Sequence, residues 1–143
     1  MTTLTLDALI ARHGVGVDDH HDLTSLVPVH TGLSRQGDVI VIPARMATRS
    51  PSPASTPLPK GGFPVVRGES GGNTHMLLAE GTVFFDPAGD VSATQLDLGV
   101  LTVPEGSTAL LAHPEHAYSA FGPGSYVIRR QREQADELRI VAD

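Results

Sequence analysis

Apolar residues in this chain recur mostly at every second position, in short runs broken by glycine and proline. That is the pattern of strands with one face buried and the other exposed. Such runs predict strands over 23–30, 37–43, 64–67, 74–79, 82–85, 94–103, 108–112, 126–131 and 138–141. Residues 39–42 are continuously apolar up to Pro43, as in a buried strand, while 94–103 would set Leu96, Leu98 and Val100 on one side. One stretch has helical spacing instead. Over 3–13, Leu4, Leu6, Leu9 and Ile10 form an apolar face, Ala8 and Ala11 favour helix, and Gly14 is a natural stop. The expectation is an all-β fold, a single-domain barrel or jelly-roll-like double sheet of about eight to ten short strands with one N-terminal helix.

Two segments depart from the alternation. Residues 1–22 make an N-terminal helix and arm, expected to close one end of the β structure or to dock on another subunit. Residues 44–62 are rich in proline, serine and threonine with hardly an apolar anchor, so they cannot be a core element. A loop this long is usually mobile or functional, and a neighbouring molecule would be one way to hold it. Leu4, Leu9 and Ile10 of the helix, with Pro51, Pro53 and Pro57 of the loop, are therefore candidate interaction residues.

At 143 residues the chain suits one domain, 1–143, and its 40% apolar content is enough for a core. A net charge of −6, few aromatic rings and no tryptophan argue against nucleic-acid binding, which needs clustered cations or exposed stacking surfaces. No cysteine is present, which excludes disulfides, thiolate metal sites and cysteine nucleophiles. The first residues lack the basic start and apolar core of a signal peptide, and no apolar run approaches the roughly 18 residues of a membrane span. A cytoplasmic or intravirion location, with self-association or a protein partner and no membrane, is the expectation.

Without thiolates, a transition-metal site must be built from imidazole and carboxylate. His113 and His116 flank Pro114 and Glu115, and proline at that point should bend the strand so that both rings converge at its end. His75 follows a glycine-rich turn, where backbone can approach an ion closely. If strand pairing joins the two segments, His75, His113 and His116 could hold Zn, Fe, Mn or Ni, with Asn73, Glu80 and Glu115 as supporting groups and Glu69 a further carboxylate. Ordinary structural histidines are the competing expectation, and a pH-sensitive histidine cluster at an interface is a third. Adjacent His20 and His21 point to opposite sides of an extended chain and fit a solvated turn better than a shared ion. Ser70 lacks the Gly-x-Ser-x-Gly frame of a nucleophile elbow, and no Lys-Ser/Thr pair follows the glycines.

Residues 73–81, Asn-Thr-His-Met-Leu-Leu-Ala-Glu-Gly, loosely resemble the first motif of the cupins, with Asn73 in the first ligand place. Pro104, Glu105 and Gly106 resemble the turn of the second cupin motif, but Ala109 stands where that family has histidine. The run from Gly68 to His75, the His113–His116 segment and Gly124 to Glu133, with Gly37-Asp38-Val39, are similar to an uncharacterised group of small bacterial and phage-borne proteins. That resemblance implies a compact β fold and a metal, and brings no reaction with it. Two functions follow as expectations. One is a small metal-binding β domain, whose chemistry would best suit hydrolysis or a lyase reaction on a small acidic or sugar-like molecule. The other is a structural subunit of a larger assembly, such as a decoration, head or tail component of a phage particle; a weaker third is an adaptor that binds a protein through an exposed strand edge.

Overall fold

The computed structural model describes residues 4–48, 51–67, 74–88 and 97–131. Two five-stranded sheets face each other. The first holds β1 (Val29–His30), β9 (Ala117–Phe121), β8 (Thr108–His113), β5 (His75–Glu80) and β4 (Phe63–Val66), in that spatial order. The second holds β2 (Ser34–Gln36), β3 (Val39–Pro43), β10 (Gly124–Arg130), β7 (Asp97–Val103) and β6 (Phe84–Pro87). Neighbours are antiparallel except for the β1–β9 pair. This is the double-sheet form of the expected all-β fold and not the barrel, because no pairing among the described residues joins the two sheets edge to edge.

The core lies between the sheets. Val39 and Val41 from β3, Leu77 from β5, Leu101 and Val103 from β7, Leu111 from β8 and Ile128 from β10 point into it, with Phe85, Phe121 and Tyr126. The phase of β7 differs from the expected one: Leu101 and Val103 face inward, and Leu98 and Val100 are only half-buried. Phe85 explains the shift, since its ring packs against Gly99 where a Cβ would stand 2.4 Å from Cζ. The absence of a side chain at 99 makes room for the buried ring of β6, Phe85.

A second apolar cluster covers the outer face of the first sheet. The helix α1 (Leu6–His13) ends at Gly14, whose left-handed φ of 80° lets its N–H reach Ile10 O. Leu4, Leu6 and Leu9, joined by Val27, pack on Leu78, Leu110, Ala112, Tyr118 and Ala120. The helix therefore neither caps an end nor serves as a free arm. Leu4 and Leu9 are buried within their own fold and Ile10 is half-buried. This cover explains why 110–112 is apolar without alternation: β8 is buried on both faces.

Two other expectations change. Of 23–30 only Val29 and His30 form a strand, because the preceding backbone returns to the helix start through Leu6 N–H to Ser25 O, Asp7 N–H to Leu23 O and Val27 N–H to Leu4 O. The proline-rich loop is held by its own chain. Ala54 N–H donates to Thr102 Oγ1, the Ser55 and Thr56 amides to Asp86, and Leu58 N–H to Val83 O. It straps the exposed edge at β6, with Pro51 half-buried and Pro53 and Pro57 outward, an arrangement that blunts a sheet edge against unwanted pairing. At Gly122 and Pro123 the chain crosses from β9 in the first sheet to β10 in the second, and this corner is pinned by Tyr126 Oη donating to Gly122 O at 2.6 Å. The strand expected over 138–141 lies outside the described residues. Among the described residues no helix is long and apolar enough to cross a membrane.

Candidate metal centre

Strand register brings the distant histidines together. Met76 pairs with Ala112 and Leu77 with Leu111, so one further step sets His75 opposite His113. Each stands two residues from a core leucine, His75 from Leu77 and His113 from Leu111, which keeps both on the inner face, and both are buried at one end of the core. Beyond His113 the chain turns through Pro114, Glu115 and His116 and returns at Ala117, which pairs with His113. This is a three-residue hairpin loop closed by a residue in the left-handed region, Ala117 at φ 64°.

The His113 side chain organises that loop. Its Nδ1 accepts the backbone N–H of Glu115 at 3.0 Å and of His116 at 3.3 Å, as an aspartate or asparagine oxygen does in an Asx turn. The turn swings His116 back over the cluster. Ring centroids are 4.3 Å apart for His75 and His113, 4.6 Å for His113 and His116, and 6.1 Å for His75 and His116. The last two rings are nearly parallel, at 11°.

The second sheet supplies the other wall. Gln36 pairs with Val39, so Gly37 and Asp38 form a two-residue hairpin loop, and Gly37 takes a left-handed φ of 58° at its first position. Gln36 is buried and reaches across to the first sheet. Its amide nitrogen donates to Leu111 O at 3.0 Å, with Ser119 Oγ at 3.3 Å and Ala117 O at 3.4 Å, all acceptors. The amide oxygen must then face His75 Nδ1, 3.0 Å away, and His75 must donate. Neutral His75 therefore carries its proton on Nδ1 and a lone pair on Nε2, which lies 3.4 Å from Asp38 Oδ1. Burial, followed by repulsion from His113, pushes the His75 pKa down to about 4 against the partial support of Asp38. The ring is uncharged at neutral pH, the state a metal requires.

Gly37 keeps the approach clear. A Cβ there would fall 2.8 Å from His116 Nε2 and 3.5 Å from His75 Cε1, so any other residue would obstruct the space beside both rings.

The three histidines expected to converge are thus in contact, and one donor atom each from His113, Glu115 and His116 lies within 4.8 Å of the others. This His-His-Glu group is able to hold a metal ion. Glu80 is not part of the support. It lies five residues from His75, on the other face of β5 and about 16 Å along it, and is engaged by Arg12 and by His13 Nε2 at 3.0 Å. Asn73, Glu69 and Ser70 lie outside the described residues. The 18–22 turn is anchored on the histidine hairpin: Asp18 N–H donates to Pro114 O and His21 Nε2 to Glu115 O at 2.7 Å, while His20 stays exposed. Sequence reasoning passed over Gln36 and Asp38 as site residues. The Gly-Asp pair before a β-branched strand was their only signal, and it marks hairpins of every function.

A family model described as a domain of unknown function, DUF8820, matches residues 35–131. The chain belongs to this family. The DUF8820 span starts one residue before Gln36 and ends at Gln131, so it contains His75, His113, His116, Asp38 and Glu115 and leaves out α1 and the 18–22 turn. No curated protein and no solved structure matches. An uncharacterised family agrees with the second resemblance seen in the sequence. The cupin likeness gains nothing, since Pro104 to Gly106 precede β8 and lie at its far end from His113, and Ala109 is a core residue.

Proposed function

We propose that this domain binds a divalent transition metal, Zn, Fe, Mn or Ni, at the histidine cluster. The observation that carries the reading is the hydrogen bond from His75 Nδ1–H to Gln36, which leaves the Nε2 lone pair free beside a carboxylate, in a ring that sits in contact with two further imidazoles. Metal-ligating histidines are oriented in this way, with the second ring nitrogen donating to a fixed oxygen. Asp38 supplies negative charge at the rim to offset a divalent ion. An ion with an open position there would acidify bound water or polarise a carbonyl.

The test is elemental analysis and metal titration of purified protein. Wild type should take up one equivalent of Zn or Co per chain, and His75→Ala and His116→Ala should each weaken binding by about a hundredfold or more while the β circular dichroism is kept. A wild-type protein that takes up none of the four metals at micromolar concentration would overturn the reading.

A second reading, self-association as a subunit of an assembly, is favoured by one observation. Leu23, Leu26, Val29 and Leu33 are exposed along the segment that carries the edge strand β1. Exposed leucines beside an open edge suit pairing with a second copy. Sedimentation should show a dimer or larger species that Leu26→Asp together with Leu33→Asp dissociates; a wild-type monomer at about 100 μM, a concentration at which even weak pairing of about 5.5 kcal/mol would register, removes it.

A further inference from the structure

We infer that Asp38 is the carboxylate ligand of this centre, together with His75 and His116, and that His113 holds the turn and not the ion. The inference rests on the metal-binding reading and decides between two overlapping donor sets: His113–Glu115–His116, whose donor atoms already lie within 4.8 Å of one another, and His75–His116–Asp38, in which His75 and Asp38 are already paired and the exposed His116 must swing in to complete the set.

Separation is the first argument. Two ligands bound at about 2.1 Å to a tetrahedral ion stand about 3.4 Å from each other. His75 Nε2 and Asp38 Oδ1 are 3.4 Å apart, long for a charge-assisted hydrogen bond and right for two donors with an ion between them.

Lone pairs are the second. Coordination needs an unprotonated nitrogen. Gln36 ensures one on His75, at Nε2. In His113 the lone pair of the neutral ring is on Nδ1, where it already accepts the Glu115 and His116 amides, so the proton sits on Nε2. An ion could use His113 only by displacing those turn bonds or that proton. His116 has no such conflict at Nε2, and Gly37 leaves room beside that nitrogen.

Access is the third. Asp38 is half exposed in a hairpin loop and His116 is exposed at the tip of another, so both side chains can move to close on an ion without unpacking the core. The resulting set, two imidazoles and one carboxylate, leaves positions for water, as in metal sites that do chemistry.

The experiment is a Zn titration of the full chain, competed with a chromophoric chelator, on four proteins. His113→Asn is the informative variant, because an asparagine oxygen can accept the same two amides and preserve the turn. His113→Asn and Glu115→Gln should bind within about threefold of wild type, whereas Asp38→Asn should lose about a hundredfold. A loss at His113→Asn or Glu115→Gln as large as at Asp38→Asn, or none at Asp38→Asn, overturns the ligand assignment and leaves metal binding itself standing. A wild type that binds nothing removes the underlying reading instead. Long-range proton–nitrogen NMR of the metal-free protein gives a readout independent of the ion. His75 should show its proton on Nδ1 and His113 on Nε2; a His113 with its proton on Nδ1 would also overturn the assignment.

Discussion

A Gln36→Leu protein should be about 3–5 kcal/mol less stable than wild type in urea unfolding, with metal affinity lower by about 10- to 100-fold. Leucine fills a similar volume, so the loss is one of hydrogen bonds and not of packing. The Nδ1–H of His75 loses its acceptor, and Leu111 O loses the donor that crosses between the sheets, with Ala117 O and Ser119 Oγ losing weaker ones. Each buried polar group left without a partner costs about 1–3 kcal/mol, and several are orphaned together. Gln36→Glu is the sharper control. A carboxylate would set oxygens against the carbonyls of Leu111 and Ala117, so it restores the volume and the acceptor for His75 but none of the donors. If the amide's part is to orient His75, the proton on Nδ1 should be lost from the NMR spectrum of Gln36→Leu, a change that simple destabilisation would not produce. An unaltered unfolding midpoint in that variant would show that the amide is not the bridge between sheets.

Strands built on runs of large aliphatic residues were legible whether or not they alternate, and β9, which lacks such a run, was missed for a physical reason. β3, β5, β8 and β10 follow from runs of Val, Ile and Leu bounded by glycine or proline. β9 did not stand out, because Ala117, Ser119 and Ala120 carry little strand preference and the segment is buried only by what α1 and the core place on each face. The helix was visible but its dock was not, since an apolar stripe names no partner. The same division holds at the site. Histidines announce themselves by side-chain chemistry, and Pro114 marked the bend that gathers two of them. Gln36 and Asp38 are ordinary polar residues in a turn until the second sheet closes over the end of the first. The contacts that give them meaning span 39 residues to His75 and 75 residues to Leu111. Only the packing of one sheet on the other can specify a pairing at that distance.

Metal-free protein should lose roughly 3 kcal/mol of stability through His75 alone as pH falls from 6.5 to 4, and little more from this group below that. The sign follows from the two states. Unfolded, His75 titrates near its ordinary value of 6.5; folded, burial beside His113 holds it down at about 4. Between those values the unfolded chain binds the extra proton, so acid favours unfolding, and the contribution is fully present only above pH 6.5. Urea unfolding in chelator at pH 7.5, 5.5 and 4.0 measures the slope in wild type. The His75→Gln variant, which keeps an amide donor for Gln36 but cannot titrate, should have a shallower decline by that same roughly 3 kcal/mol. Equal declines in the two proteins would mean that His75 protonates in the folded state as readily as in the unfolded chain. Added Zn should steepen the wild-type curve, since a metal bound only by the folded state stabilises it by RT ln(1 + [Zn]/Kd) and needs the same nitrogen that acid protonates. Metal stabilisation should thus be largest at pH 7.5 and fade towards pH 4, and in His75→Gln it should be small throughout. A Zn-induced stabilisation that persists unchanged at pH 4 would place the ion on groups other than His75.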